Sequence, residues 1–261
     1  MARRTLSGSR AVITGASSGI GEELARQLSA EGVRLVLVAR RAARLEQLCA
    51  ELAAHGGTAH FVAGDITAPE VRQAALDAAQ ERLGGLDILV NNAGIGAIGP
   101  FATADPIRLT RIMEVNFLAP AELIRAALPL LGRGTRPLIV NVGSVLGHRA
   151  VPKKSEYCAS KFALHGFSDA LRAELCQEGI DVLLVSPSTT QSEFFESVIE
   201  RQGELPWLKA GSAPAPRVAR QAIRAMRRGR HEIILTPGGK LLVWLDRLMP
   251  AVINRLVARF G

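Results

Sequence analysis

Three side chains of this sequence have the types and spacing for proton chemistry. Twelve residues separate Ser144 from Tyr157, and Lys161 stands four after Tyr157. If residues 156–176 are helical, that i, i+4 step puts the phenol and the ammonium on one face. Reducing a ketone or aldehyde requires a hydride on carbon and a proton on the developing oxyanion. A phenol can give that proton, but its ordinary pKa of about 10 is too high for efficient exchange near neutrality. A fixed ammonium favours phenolate, so Lys161 is expected to lower the pKa of Tyr157. Ser144 then serves as the donor that polarises and aligns the substrate oxygen. Asn116, a polar amide in Val115-Asn116-Phe117, must find partners. It is either a satisfied helix-packing residue or a relay holding the water that links Lys161 to solvent. Taken alone, Tyr-x-x-x-Lys is an ordinary helix face; its company decides its meaning.

That company begins at the N-terminal end. Val12-Ile13 ends an apolar run, Thr14-Gly15-Ala16-Ser17-Ser18-Gly19-Ile20-Gly21 turns out of it, a helix is expected over about 22–30, and a second apolar run covers 33–39. In such a strand–turn–helix–strand unit one glycine permits a tight reversal and another admits a pyrophosphate. A third lets the helix pack on the sheet with its free N–H groups toward the phosphates. Gly15, Gly19 and Gly21, with Ser17, Ser18 and Ile20 between them, are therefore read as a dinucleotide loop. The end of the second strand lies beside the adenosine ribose, where a carboxylate accepts from a free 2′-hydroxyl and a basic residue accommodates a 2′-phosphate. Here it reads Val38-Ala39-Arg40-Arg41, so NADP(H) is favoured over NAD(H). Arg40 is the expected phosphate ligand, and Arg41 stacks on adenine or assists.

Further strand ends add to the crevice. Asp65, after a strand at 59–63, either accepts from the adenine amino group or caps the helix beginning near Pro69. Asn91-Asn92-Ala93-Gly94 closes a strand at 86–90. There small residues let the backbone lie against a ribose while the amides tie strands together, which places Asn91, Ala93 and Gly94 in the cofactor set. A helix is expected over 42–54 and another over 107–131. Strands follow at 137–142, delivering Gly143-Ser144-Val145, at 182–185 and at 231–235. Strand alternating with helix implies an α/β fold with a parallel sheet and ligands at the carboxyl ends of its strands.

The chain has 261 residues, a length suited to one such domain, with 48% hydrophobic and 4% aromatic residues and a net charge of +8. The few aromatics argue against a stacking platform for single-stranded nucleic acid. The sequence pI near 10.2 suits an anionic partner without choosing one. No zinc, helix-turn-helix or aromatic-basic signature is evident, so no nucleic acid partner is expected. Cys49, Cys158 and Cys176 show no metal or disulfide spacing, which fits a reducing cytoplasm. The N-terminus leads into no apolar h-region, and no run reaches the length of a membrane span.

Thr-Gly-x-x-x-Gly-x-Gly, Asn-Asn-Ala-Gly, Asn116, Ser144 and Tyr-x-x-x-Lys together resemble the short-chain dehydrogenase/reductase family over essentially residues 8–240. The resemblance implies a doubly wound Rossmann domain with about seven parallel strands and NAD(P)-dependent interconversion of a carbonyl and an alcohol. It also implies a homodimer or homotetramer. Tyr157 becomes the acid/base, and Lys161 its pKa modulator and ribose ligand. Gly-Ala-Ser-Ser-Gly-Ile-Gly-Glu-Glu-Leu-Ala with Val-Ala-Arg-Arg is similar to NADP-using members related to hydroxysteroid dehydrogenases and retinal-type reductases. Where the family has Pro-Gly and then a Thr holding the nicotinamide carboxamide, this chain has Pro187-Ser188-Thr189-Thr190-Gln191-Ser192. Pro187, Thr190 and Ser192 are carried over to the cofactor, Ser192 in the Thr position. A catalytically silent dinucleotide sensor or scaffold is the competing reading; the intact Asn116, Ser144, Tyr157 and Lys161 speak against it.

The expected organisation is a Rossmann-type unit over 1–239, including a substrate loop at 188–215, and a C-terminal amphipathic helix over 240–261. Phe194, Phe195, Val198, Ile199, Leu205, Trp207 and Leu208 make the loop apolar, which suits either a hydrophobic substrate or packing on the core. Arg217, Arg220, Arg224, Arg227, Arg228 and Arg230 read as a solvated helix face. In the tail, Leu241, Leu245, Leu248, Val252, Leu256 and Phe260 form a stripe opposite Arg247, Arg255 and Arg259, with Pro250 expected to kink it. Such a helix, with Trp244, can lie peripherally on a membrane or pack on protein, and the sequence leaves both open.

Overall fold

Period-two alternation assigns each strand residue to one of two helical layers. Ala11 and Ile13 face one side of the sheet while Val12 faces the other, and Leu35 and Leu37 likewise oppose Val36 and Val38. The computed structural model describes residues 4–191 and 212–259. Ser192, the apolar residues of the substrate loop from Phe194 to Leu208, and Phe260 lie outside the described residues.

In chain order the elements are β1 (Arg10–Thr14), α1 (Gly19–Ala30), β2 (Arg34–Ala39), α2 (Ala42–Ala54), β3 (Ala59–Ala63), α3 (Pro69–Leu83), β4 (Ile88–Asn91), α4 (Ile107–Met113), α5 (Ala119–Leu131), β5 (Leu138–Val142), α6 (Ser155–Leu175) and β6 (Asp181–Ser186). Then come β7 (Thr190–Gln191), β8 (Ala213–Pro214), α7 (Ala215–Arg227), β9 (Glu232–Ile234), α8 (Pro237–Leu248) and α9 (Pro250–Ala258). Seven strands form a parallel sheet in the order β3-β2-β1-β4-β5-β6-β9, and β7 pairs with β8 apart from it. The chain starts at β1 and runs outward one way through β2 and β3, then returns to β4 on the other side. Loops at the β1 and β4 ends therefore diverge and open a crevice.

One face carries α1, α2 and α7, with Leu24, Leu28, Leu45, Leu48, Ile223 and Met226 buried against the sheet. The other carries α3, α5 and α6 through Leu76, Leu83, Leu123, Ile124 and Leu171. Each fully buried aliphatic side chain stabilises the fold by about 1.5–3 kcal/mol relative to exposure. The arginines of α7 and the turn after it are exposed, as the solvated-face reading requires.

The helix expected over 107–131 is interrupted. Residues Glu114–Leu118 form a π-helical turn in which the Ala119 N–H reaches the Glu114 carbonyl. The sequence contains the cause: Pro120 has no N–H to give the carbonyl of Asn116, four residues earlier. Single π turns of this kind are frequent at functional sites. At the C-terminus Pro250 divides the tail into two helices, α8 and α9. Their own-chain contact runs through buried Val243 and Ile253 and through Arg149, which donates to Asp246 (2.9 Å) and Asn254 (2.8 Å). The anticipated stripe residues Leu241, Leu248, Val252 and Leu256 are exposed. No helix among the described residues is long and apolar enough to cross a membrane.

Candidate active site

The crevice at the carboxyl ends of the strands has a volume of about 850 Å³. Its first wall is the turn after β1. Gly15 has φ +66, a conformation that L side chains rarely adopt, and a Cβ there would lie 2.8 Å from the Ala93 Cα. A Cβ on Gly21 would collide with the Gly15 carbonyl and the Asn92 amide. These two glycines allow the turn, α1 and the end of β4 to close on one another. Asn92 fixes that closure by donating to the carbonyls of Thr14 (3.0 Å) and Gly15 (3.1 Å). Ser18 occupies the N-cap of α1 without a side-chain capping bond, so the helix presents its first N–H groups to the crevice. A pyrophosphate is the chemistry such a cradle suits.

Gly15, Ser17, Ser18, Gly19 and Ile20 line the crevice, whereas Gly21 sits behind them in the helix packing. At the ends of β2 and β3 Arg40, Arg41 and Asp65 line it together. Arg41 donates to the Ser17 hydroxyl (3.2 Å) and carbonyl (3.0 Å), so its guanidinium is held against the glycine turn. Asp65 accepts from the Thr67 N–H (3.0 Å) and hydroxyl (2.9 Å), which makes it the clasp of the turn before α3 while it still borders the crevice. Burial opposes its ionisation, but those two bonds and the charges of Arg40 and Arg111 keep its pKa below the usual value. Ala93 and Gly94 also line the crevice. Asn91 does not: its amide is buried in the sheet, donating to Asn141 Oδ1 (2.9 Å) and so tying β4 to β5.

At the other end Ser144, Tyr157 and Lys161 converge. Ser144 follows β5 and accepts from the Leu146 N–H (3.1 Å), which fixes its rotamer at the start of a short 3-10 turn. Lys161 is buried and donates to the Val142 carbonyl (2.9 Å), with its nitrogen 5.8 Å from the centroid of the Tyr157 ring. Burial pushes the Tyr157 hydroxyl up to about 12, and a hydrogen bond with Ser144 works against that rise. Burial also brings Lys161 down to about 8, and its ammonium is directed at a strand carbonyl. Spacing had placed the two groups on one face but could not report how much water each loses.

Asn116 resolves toward positioning. Its Oδ1 accepts from the Ile95 N–H (2.9 Å), and its amide donates to the Ile95 carbonyl (2.9 Å) and to Ser160 Oγ (3.0 Å). Ser160 in turn donates to the Tyr157 carbonyl (2.8 Å). The side chain thus pins the strand β4 exit to the tyrosine helix. Pro187 and Thr190 line the crevice, and Thr190 Oγ1 donates to the Ser188 carbonyl (3.1 Å).

A family model described as short chain dehydrogenase matches residues 9–203. The chain belongs to the short-chain dehydrogenase family. Dehydrogenase/reductase SDR family member 7B of Bos taurus is 34% identical, covering 95% of this chain and 79% of that protein. Ketoacyl reductase HetN of a Nostoc strain is 31% identical, over 98% and 91% of the two chains. Among solved structures, a short chain dehydrogenase/reductase from Burkholderia phymatum in complex with NAD superposes with a TM-score of 0.88 at 26% identity, covering 95% of this chain and 96% of the other. One from Burkholderia cenocepacia in complex with NADP gives 0.80 at 29% identity, covering 91% and 100%. This short-chain dehydrogenase is accordingly an oxidoreductase acting on CH–OH groups with a nicotinamide dinucleotide.

Several crevice residues of this short-chain dehydrogenase carry no local sequence signal. Arg111, Lys154 and Leu242 line it from α4, the residue before α6, and α8. Leu242 could have been found only by knowing that α8 folds back over the strand ends. Asn92 had a signal, since it stands beside Asn91 at the same strand end.

Proposed function

We propose that this enzyme is an NADP(H)-dependent oxidoreductase that interconverts a carbonyl and a primary or secondary alcohol on a hydrophobic small molecule. The observation that carries the reading is the convergence of Ser144, Tyr157 and Lys161 at one end of a crevice whose other end is the glycine turn. A bound nicotinamide supplies or accepts the hydride. Tyr157 holds the proton that passes to and from the substrate oxygen, Ser144 orients that oxygen, and Lys161 holds positive charge behind the phenol. Asn116 keeps the tyrosine helix in register. Val145, Leu146, Val151 and Leu242 give the substrate end an apolar lining, which supports a hydrophobic substrate. The name of the Nostoc relative, a ketoacyl reductase, agrees with carbonyl chemistry. A panel of carbonyls and alcohols assayed with both dinucleotides tests the reading, and absence of turnover across such a panel with either dinucleotide removes it.

Preference for the 2′-phosphate rests on Arg40 and Arg41 at the end of β2, with no carboxylate there to meet a free 2′-hydroxyl. Because Arg41 is anchored to Ser17, the pair forms a basic corner over the turn. Arg40→Asp weakens NADPH binding by about 10- to 100-fold, the worth of one charge-assisted hydrogen bond, and leaves NADH binding equal or better. Fluorescence titration with each dinucleotide reads this out, and a wild type that prefers NADH ends the phosphate assignment.

For the tail, the reading is contact with a second copy of the chain in a homodimer or homotetramer. Leu241, Trp244, Leu248 and Met249 are 48–70% exposed and form an apolar face too continuous for a solvated helix. A Trp244→Ser/Leu248→Ser variant should sediment as a smaller species than wild type. Depletion of wild type by anionic vesicles, lost in that variant, assigns the face to lipid instead.

A further inference from the structure

We infer that His148, His165 and Glu232 form a site for a divalent transition metal, with zinc the ion their donor set suits. The three come from separate elements: His148 from the turn that follows Ser144, His165 from α6 two helical turns beyond Tyr157, and Glu232 from the start of β9. One ligand atom from each lies within 4.8 Å of the others. A tetrahedral zinc sphere with bonds of about 2.0–2.1 Å sets its donors about 3.3 Å apart. His148 Nε2 and Glu232 Oε1 already stand 3.2 Å apart, so small side-chain rotations complete the set.

Two independent features mark this cluster as more than a packing contact. Glu232 Oε1 is buried without a hydrogen-bond partner among the described residues, beside a His148 side chain only 1% exposed. Buried polar atoms are almost always satisfied, and a cation on that carboxylate oxygen would account for it. The second feature is His165. Its Nδ1 lies 3.1 Å from the Gly147 carbonyl, which places the proton there and leaves the Nε2 lone pair outward, the orientation metal-binding imidazoles take from an outer carbonyl.

Two groups compete and one assists. The Ser186 hydroxyl, 2.9 Å from His148 Nε2, must turn aside when that nitrogen coordinates, and Arg247 disfavours a cation. Asp169 Oδ2, 3.4 Å from His165 Nε2, returns negative charge at the rim. The Glu232 side chain is 34% exposed, so the cluster is not sealed from the surface. A metal here would clamp the Ser144 turn, the Tyr157 helix and β9 from behind without touching substrate or dinucleotide. The inference therefore stands apart from the proposed activity.

The test uses tag-free full-length protein stripped with chelator, titrated with zinc against a chromophoric competitor and, separately, with cobalt(II). Expected are one equivalent of zinc per chain, visible d–d bands from four-coordinate cobalt, and a rise in melting temperature. His165→Gln and Glu232→Gln, both at partly exposed positions, should each weaken zinc by roughly tenfold or more, with NADPH fluorescence titration unchanged as the control for folding. Wild type that takes up no stoichiometric zinc overturns the site, as does undiminished affinity in both variants.

Discussion

Tyr157→Phe lowers turnover of a carbonyl substrate by about 10²- to 10⁴-fold, the range a positioned general acid contributes, and leaves dinucleotide affinity nearly unchanged. In barrier terms the loss is about 3–5 kcal/mol. Phenylalanine keeps the ring and its packing and removes only the oxygen that carries the proton, so a fall in kcat with unaltered cofactor titration isolates that step. Full activity in the variant would remove Tyr157 as the acid. The chain has a single tyrosine, so ultraviolet absorbance reports its ionisation without interference. With the hydroxyl pushed up to about 12 by burial and restrained by Ser144, Ser144→Ala should move that titration to still higher pH. The phenol acts as an acid in its protonated form during reduction, so the alkaline limb of the rate profile shifts upward in the same variant while the rate itself falls. An unshifted limb would mean that the Ser144 hydroxyl does not act on the phenol.

Residues that act through neighbours in the chain were legible; those that act across it were not. The boundaries of α2 and β3 follow directly from apolar spacing and from the glycines after Ala54. The glycine turn and the Tyr-x-x-x-Lys step could be read because helix geometry converts a short interval into shared direction. Solvation has no such local rule. The burial that pushes Tyr157 up and Lys161 down comes from elements distant in the chain, so no interval along the sequence contains it. The π turn at Glu114–Leu118 lies between these cases: Pro120 was present as a signal, but its effect depends on which carbonyl it deprives. Asn91 shows the same limit, since two adjacent amides at a strand end look alike until the sheet directs one inward and the other to the turn.

The second large effect concerns a pair that no spacing rule joins, Arg108 on α4 and Glu156 on α6, 48 residues apart. Their side chains are 1% and 3% exposed, and Arg108 donates to Glu156 Oε1 from Nε (2.8 Å) and Nη2 (2.5 Å). Glu156 immediately precedes Tyr157, so the pair holds the start of the tyrosine helix against α4. Glu156→Gln keeps the volume but exchanges the carboxylate facing the buried guanidinium for a neutral amide, which costs about 3–5 kcal/mol. For a domain of this size that is a fall of about 6–20 °C in melting temperature. Arg108→Met/Glu156→Leu, which removes both charges together, should recover most of the stability, because a buried ion pair offsets little more than its own desolvation. Thermal unfolding of the single and double variants separates the two contributions. If kcat also recovers in the double variant, the pair positions Tyr157 through packing; a double variant that is stable yet slow would show that the directed hydrogen bonds themselves set the angle of the helix. Equal melting of Glu156→Gln and wild type would show that the buried pair is not formed.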